Sequence, residues 1–569
     1  MQRPPLTDSQ DRGATDVPLI EDTLGGFFEA MARRQPEREA LVSAHQGIRY
    51  TYDALRIAAD RLASGLLRQG LAKGDRVGIW SHNNAEWVLL QLATARVGLV
   101  LVNINPAYRV AEVEYALNKV GCKALVTMAC FRSSDYLAML RELAPELATA
   151  PVAQLRAARL PALRLVAWID QEGEGAEQPG MQRFSALCAA GDAADPRVAE
   201  AAATLRATEP INIQFTSGTT GFPKGATLTH RNILNNGFFI GECLRLTPDD
   251  RLCIPVPLYH CFGMVLGNLA CLTHGSCIVY PNDGFDPLAV LQTVQAERCT
   301  GLHGVPTMFI AELDHPRFAE FDLSTLRTGI MAGSPCPTEV MKRVVQQMHL
   351  SEITIAYGMT ETSPVSCQSS TDTPLEQRVS TVGMVQPHLE VKMVDADGAV
   401  VPNGTAGELC TRGYSVMHGY WGDPAKTAEA IDAEGWMHTG DLATMDTAGY
   451  VNIVGRIKDM VIRGGENVYP REIEEFLYRH PQIQDVQVVG VPDARYGEEL
   501  CAWIVAKPGQ ALDEDAVRDF CRGQIAHYKI PRYVRFVAAF PMTVTGKIQK
   551  YRIREAMREE LGLAEEKTA

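Results

Sequence analysis

The run Thr216-Ser217-Gly218-Thr219-Thr220-Gly221-Phe222-Pro223-Lys224-Gly225 sets glycines, hydroxyls and a lysine directly after the strand-like residues 211–215. Glycine lets backbone N–H groups approach oxyanions, hydroxyls add donors, and Lys224 supplies charge, which is the chemistry of a phosphate loop. The spacing from Gly218 is not GxxxxGK[ST], so an ordinary P-loop ATPase is a poor reading, and on composition alone a flexible polar loop fits as well as a phosphate cradle. Tyr357, Thr360 and Glu361 follow a strand-like run at 353–357. An aromatic face suits a nucleobase and a hard carboxylate suits Mg2+, although in isolation a core tyrosine and a solvated glutamate are the commoner fates of these residues. Asp441 lies in a Thr-Gly-Asp turn, where its carboxylate either accepts from ligand hydroxyls or caps the turn. Lys547, in Thr545-Gly546-Lys547, is an ammonium on a turn and can neutralise two anions held together.

These groups need a scaffold. Leu55, Ala59, Leu62 and Leu66 recur at helical spacing after Thr51, and the segment closes at Gly70 before a strand-like run at 76–80. A strand at 97–102 and the pattern over 113–126 continue the alternation, which predicts βαβ units, a mainly parallel sheet and an α/β class. From Ile211 a second α/β region is expected, with strands near 253–257, 277–280 and 353–357 and a helix from Thr338. Residues 144–165 and 170–200 read as a peripheral, loop-like connection without chemistry. Between 391 and 455, Asp397-Gly398, Asn403-Gly404 and Gly435 punctuate short alternating segments, predicting an antiparallel, barrel-like subdomain. Beyond it, Ile473, Phe476 and Leu477 mark a helix and 486–491 and 500–505 mark strands, a small α+β lobe hinged near Lys458. The expected division is a large domain over 1–456 and a mobile lid over 457–569.

With 569 residues, 46% of them hydrophobic, the chain can bury several cores. Its formal net charge of −14 argues against nucleic acid or anionic lipid as a non-specific partner, so anionic ligands must meet local cations. Residues 527–554 supply such a run, with Lys529, Arg532, Arg535, Lys547, Lys550, Arg552 and Arg554 and no acidic residue. The 14 cysteines, from Cys122 to Cys521, show no CxxC pair or metal-like Cys/His spacing, which favours reduced thiols over zinc or disulfides. The first residues lack the apolar core of a secretory signal and carry acidic groups foreign to a transit peptide, so a cytoplasmic location is expected. The apolar stretch 87–104 is broken by Gln91, Arg96 and Gly98, reading as a buried helix and strand and not as an integral membrane segment.

Taken in order, the Thr216 loop, Tyr357-Gly358-Met359-Thr360-Glu361, Gly435-Trp436-Met437-His438-Thr439-Gly440-Asp441, Gly455-Arg456-Ile457-Lys458-Asp459, Gly464-Gly465-Glu466-Asn467 and Gly546-Lys547 resemble the motif set of the adenylate-forming superfamily. That superfamily holds acyl-CoA synthetases, luciferases and the adenylation domains of peptide synthetases. The resemblance implies ATP, Mg2+ and coenzyme A as the small molecules handled, and it assigns roles. Residues Thr216, Ser217, Gly218, Thr219, Thr220, Gly221 and Lys224 cradle phosphates; Gly333, Ser334 and Pro335 flank the adenine on which Tyr357, beside Gly358, stacks. Thr360 contacts phosphate, Glu361 holds the metal, Asp441 takes the ribose hydroxyls and Arg456 supports ribose or phosphate. Lys458 is the pivot, Gly464 and Gly465 pass beside the pantetheine arm, and Lys547 serves the first half-reaction.

The stretch Pro257-Leu258-Tyr259-His260-Cys261-Phe262-Gly263-Met264 resembles the family segment lining the acyl site. There His260 either places the carboxylate or is simply packed. No acidic residue occurs from 253 to 282, which favours an acid without an α-amine, fatty or aryl. Arg412-Gly413-Tyr414-Ser415-Val416-Met417 and Gly464-Gly465-Glu466-Asn467-Val468-Tyr469-Pro470 are most similar to bacterial medium-chain fatty acyl-CoA synthetases, and Met264 stands near where some long-chain relatives carry a tryptophan gate. The expected function is therefore ATP-dependent activation of a small-molecule carboxylic acid, a medium-chain fatty acid first, through an acyl-adenylate to acyl-CoA. An aryl or branched short-chain acid ligase and an adenylation enzyme loading a carrier protein remain the alternatives, and a homodimer stays open.

Overall fold

The computed structural model describes residues 5–131, 134–170, 176–216, 223–464, 466–493, 495–510, 512–543 and 546–562. Two large sheets share one helical layer. The first sheet has eight strands in the order Gln182–Arg183, Leu165–Trp168, Cys122–Thr127, Arg76–Trp80, Val100–Asn103, Pro210–Thr216, Lys224–Thr229 and Gly419–Tyr420, parallel up to Pro210–Thr216 and antiparallel beyond. The second has nine, with Glu352–Gly358, Thr328–Met331, Gly301–Gly304, Arg251–Cys253, Cys277–Tyr280 and Glu39–Ser43 running parallel at its centre. Helices Tyr52–Arg68, Ala85–Val97 and His230–Cys243 fill the space between, and a single core cluster takes side chains from both sheets and from all three helices. Parallel strands covered on both faces read as continuous apolar runs, which is how Arg76–Trp80 and Val100–Asn103 look in the sequence.

The broken apolar stretch behaves as expected, and its polar interruptions find partners in the fold, except that Gln91 Nε2 is buried without one. Asn84 caps helix Ala85–Val97 by accepting from Trp87 N, and Gly98 ends it in the left-handed conformation at φ 69°. Inside it, Arg96 is buried against Asp60 at 2.6 Å and Glu29 at 2.7 Å, and Gln91 accepts from Asn268 at 3.1 Å. A buried cation so paired is tolerated, whereas an unpaired one would not be. Among the described residues no helix is long and apolar enough to cross a membrane.

Three expectations about organisation need correction. Strand Pro210–Thr216 belongs to the first sheet, beside Val100–Asn103, and the second sheet recruits Glu39–Ser43 and Ile48–Thr51 from far upstream. Strand pairing is long-range and leaves no local mark. Residues 170–200 are not merely loop: Gln182–Arg183 extends the first sheet, and short helices Phe184–Ala189 and Pro196–Ala202 bury Phe184, Leu187 and Val198, too few anchors to make a visible period. The strand expected at 253–257 is Arg251–Cys253.

The antiparallel subdomain is a five-stranded sheet, Gln10–Arg12, Leu389–Val394, Gly407–Gly413, Met437–Met445 and Val451–Arg456, with its first strand donated by the N-terminus. After Arg456 the chain makes the short turn Ile457–Asp459 and enters a separate sheet built around the hairpin Ile483–Asp493 and Gly497–Ala506. Helices Pro470–Leu477, Glu514–Cys521 and Lys550–Glu560 complete this small lobe, each burying a narrow apolar stripe.

Candidate active site

The C-terminal ends of the parallel strands Thr328–Met331 and Glu352–Gly358 open side by side on one cleft, the usual place for a ligand in such a sheet. Exposed Gly333 and Pro335 follow the first strand, and Tyr357 and exposed Gly358 end the second. Gly358 admits no side chain, because a Cβ there would lie 1.7 Å from the Pro364 carbonyl. The chain then turns through Thr360–Thr362, burying Glu361. Its Oε1 accepts from Thr216 Oγ1 at 3.0 Å and from Tyr420 Oη at 2.9 Å, and Lys224 Nζ bonds the same Tyr420 hydroxyl at 2.9 Å. The first and second sheets are thus tied through one carboxylate. Glu361 Oε2 has no hydrogen-bond partner among the described residues, so a hard oxygen remains for a cation.

On the facing side, Asp441 is buried and receives the Tyr357 hydroxyl on Oδ2 at 2.7 Å and Arg456 Nε on Oδ1 at 3.0 Å. Burial and the Asp441 charge hold the Tyr357 phenol well above its ordinary range, so it stays a donor. Across this cleft comes the small lobe. Thr543 N donates to the Lys547 carbonyl at 2.8 Å and Lys547 N to Thr543 Oγ1 at 3.1 Å, and Gly546 packs so closely that a Cβ would meet Val305 Cγ2 at 2.9 Å. The two lobes also meet where Gln484 donates to Asp314 at 3.2 Å and Arg471 to the Ile453 carbonyl at 2.5 Å.

Lys547 reaches into the cleft. The residue as a whole is exposed, while its ammonium is partly withdrawn from solvent near Arg456, Asp441, Asp459 and Glu361, and no ion pair holds it among the described residues. Loss of bulk solvent and the neighbouring Arg456 push its ammonium down to about 8, against the opposing pull of Asp441, Asp459 and Glu361. His260 feels the same lysine: burial first, then Lys547, drive its imidazole down to about 4. His260 Nδ1 accepts from Phe262 N at 3.2 Å, so the neutral ring carries its proton on Nε2.

After His260 the chain forms an uncommon π-helix, Phe262–Leu269, buried throughout. Asn103 and Gln214 each direct an amide to Met264 Sδ at 3.7 Å, and Cys261 Sγ donates to Gln214 Oε1 at 3.2 Å. This buried segment is apolar and backed by amides that bond one another.

Thr216, Lys224, Tyr357, Thr360, Glu361, Asp441, Arg456, His260 and Lys547 therefore converge, with Gly333, Ser334, Pro335 and Gly358 at the strand ends. Ser217, Gly218, Thr219, Thr220, Gly221 and Gly465 lie outside the described residues. Gly464 is not brought in: it is exposed on the small lobe, its neighbour there being Tyr496. Lys458 is exposed in the turn between lobes. Tyr420, which links Lys224 to Glu361, was missed by sequence reasoning, since a Gly-Tyr pair on a two-residue strand carries no chemical signature of its own. The expected basic field over 527–554 is corrected as well. Lys529, Arg532, Arg535, Lys550 and Arg554 each pair with a carboxylate from elsewhere in the chain, leaving Lys547 as the lysine presented to the cleft.

Comparison with known proteins decides the family. The model of the AMP-binding enzyme matches residues 28–421, and that of the AMP-binding enzyme C-terminal domain matches 472–547. The chain belongs to the AMP-binding enzymes. Within this adenylate-forming family it is 50% identical over 539 residues to YngI of Bacillus subtilis (strain 168), named for an inferred acyl-CoA synthetase activity, covering 94% of this chain and 97% of that one. It is 46% identical over 559 residues to the mitochondrial medium-chain acyl-CoA ligase ACSF2 of Bos taurus, covering 97% and 90%. Among solved AMP-binding enzymes, the anthranilate CoA ligase AuaEII in complex with anthranoyl-AMP superposes with a TM-score of 0.84 at 26% identity, over 96% of this chain and 99% of that one.

Proposed function

We propose that this chain is an ATP-dependent acyl-CoA synthetase that activates a fatty acid of medium chain length, releasing pyrophosphate and then AMP. The carrying observation is that Lys547 of the small lobe, without an ion pair among the described residues, lies within electrostatic reach of the Glu361 and Asp441 carboxylates and of His260. Two anions, a carboxylate and a triphosphate, must be brought together for adenylation, and a cation shared between them offsets their repulsion and the charge developing at the α-phosphorus. The acid's oxygen attacks that phosphorus, pyrophosphate leaves, and the thiol of coenzyme A then attacks the acyl carbon and expels AMP.

Lys547 orients the carboxylate, assisted by the Nε2–H of neutral His260. Asp441 takes the ribose hydroxyls, Arg456 keeps its carboxylate aligned, and Lys224 and Thr216 meet phosphate oxygens with the loop 217–222. Glu361, with an unengaged oxygen, suits Mg2+, which when bound would neutralise phosphate charge. For the second step the lid over 457–569 turns about Lys458, withdrawing Lys547 and offering Gly464 and Gly465 to the pantetheine arm. The medium-chain assignment is supported by the name of the 46%-identical ACSF2 relative and by an apolar π-helical wall without an acidic residue.

The test is acid-dependent pyrophosphate release over straight-chain, branched and aromatic acids, followed by mass measurement of the CoA products. A maximum among medium straight-chain acids is expected. Turnover with aromatic acids alone, or acyl transfer to a carrier protein but never to free CoA, would defeat the reading.

A further inference from the structure

Away from the cleft, the half-barrel sheet gathers three metal-binding side chains on one face. Cys410 and His438 are directly opposite each other on neighbouring antiparallel strands, and Glu408 precedes Cys410 by two residues across a register shift in that pairing. Among the described residues these three are a group whose donor atoms all lie within 4.8 Å of one another. Cys410 Sγ and His438 Nδ1 are 3.5 Å apart. Bond lengths of about 2.3 Å to sulfur and about 2.0 Å to nitrogen at tetrahedral angles require a separation of about 3.5 Å. Glu408 Oε2 and His438 Nδ1 are at 2.9 Å, so this pair opens by roughly 0.5 Å to admit an ion between them.

Of the atoms that would not touch the ion, one is already engaged and the other has a carboxylate near it. Glu408 Oε1 accepts from Gly440 N at 3.0 Å, which leaves Oε2 turned to the group. His438 Nε2 faces Asp432 Oδ2 at 3.7 Å, while the other Asp432 oxygen is fixed by the N–H groups of Glu434 and Trp436. A carboxylate behind the distal nitrogen of a ligating histidine is the usual outer support of a metal site, since it sets the tautomer and the ring plane. Lys392 and Arg412 lie over the Trp436 ring at 4.5 and 4.4 Å, forming a cationic rim and not a fourth ligand.

We propose that Glu408, Cys410 and His438 form a three-ligand site for a divalent transition metal ion of the Zn2+ type, with water in the fourth position. Mixed sulfur, nitrogen and carboxylate donors suit borderline Zn2+ and Co2+ and not Mg2+ or Ca2+. The linear spacing concealed the site because its third donor arrives from a paired strand. Occupancy would cross-link the two strands just ahead of Gly440 and Asp441, which sit at a register shift within strand Met437–Met445 and not in the turn expected from the sequence.

The test uses full-length, reduced, metal-stripped protein titrated with Co2+. A thiolate-to-cobalt charge-transfer band with tetrahedral visible bands is expected, both bleached on adding Zn2+. Cys410→Ser should abolish the charge-transfer band and His438→Gln should lower affinity sharply. Asp432→Asn, away from the ion, should weaken binding by about tenfold or more with the band retained. Metal-free melting temperatures of the variants separate these effects from misfolding. No charge-transfer band in the wild type, or one that survives in folded Cys410→Ser, overturns the site and leaves a Glu408–His438 ion pair supporting Gly440.

Discussion

The two walls of the cleft are built on opposite principles. On the nucleotide side, charged and hydroxyl groups bond one another before any ligand arrives: Thr216 and Tyr420 to Glu361, Lys224 to Tyr420, Tyr357 and Arg456 to Asp441. On the side of the π-helix, Met264 and its neighbours are buried, and the polar atoms behind them, Asn103, Asn212 and Gln214, turn to each other. The first wall is preorganised by directional bonds and tolerates few residue types. The second is held by packing, where volume matters more than identity. On the proposed function, this difference separates where reaction chemistry and where substrate choice would be written.

Perturbing the walls and the lid should sharpen that contrast. Lys547→Ala should lower acid-dependent pyrophosphate release by about 10²- to 10³-fold while leaving thioester formation from supplied acyl-adenylate intact. Equal loss of both half-reactions in a folded variant would argue against a lysine confined to the first. Met264→Ala should cost about 2–5 kcal/mol in urea unfolding and move the preference between acids of different length by roughly 1–3 kcal/mol, read from kcat/KM ratios. A change in ATP KM without any change in acid preference would mean the walls are not separable.

Tyr420→Phe removes one of two bonds to the buried Glu361 oxygen and should lower kcat/KM for ATP by about 10- to 100-fold, with acid selectivity unchanged. The smallest effect is in pH. Because Lys547 is shifted down to about 8, it is protonated below that value and loses its charge above it. The kcat/KM for adenylation should therefore fall by about tenfold per pH unit above 8, and Lys547→Arg should move that limb out of range. His260, held near 4, should add no limb between pH 5 and 8.

How much of this was legible depended on the kind of interaction. The Gly358 and Gly546 positions are visible in the chain because only glycine satisfies the close approaches to the Pro364 carbonyl and to Val305. The helix Ala85–Val97 was visible through its apolar content, despite Gln91 and Arg96. Tyr420, the N-terminal strand of the half-barrel and the mixing of early and late strands in both large sheets were not, because each depends on partners hundreds of residues away. The basic run over 527–554 misled for the same reason. Its charges are local in sequence, but Glu472, Glu474, Asp493, Glu560 and Asp459 neutralise five of them in space.

The chain alone determined the class of fold, the order of its nucleotide-handling motifs and the lysine on its final hairpin, since these rest on local backbone geometry and on residue types that no other chemistry replaces. Tertiary structure decided which cations stay free, which carboxylate oxygen is left for a metal, and how a buried Arg96 is balanced. Those outcomes are sums of charge and desolvation over groups that folding alone brings within a few ångströms.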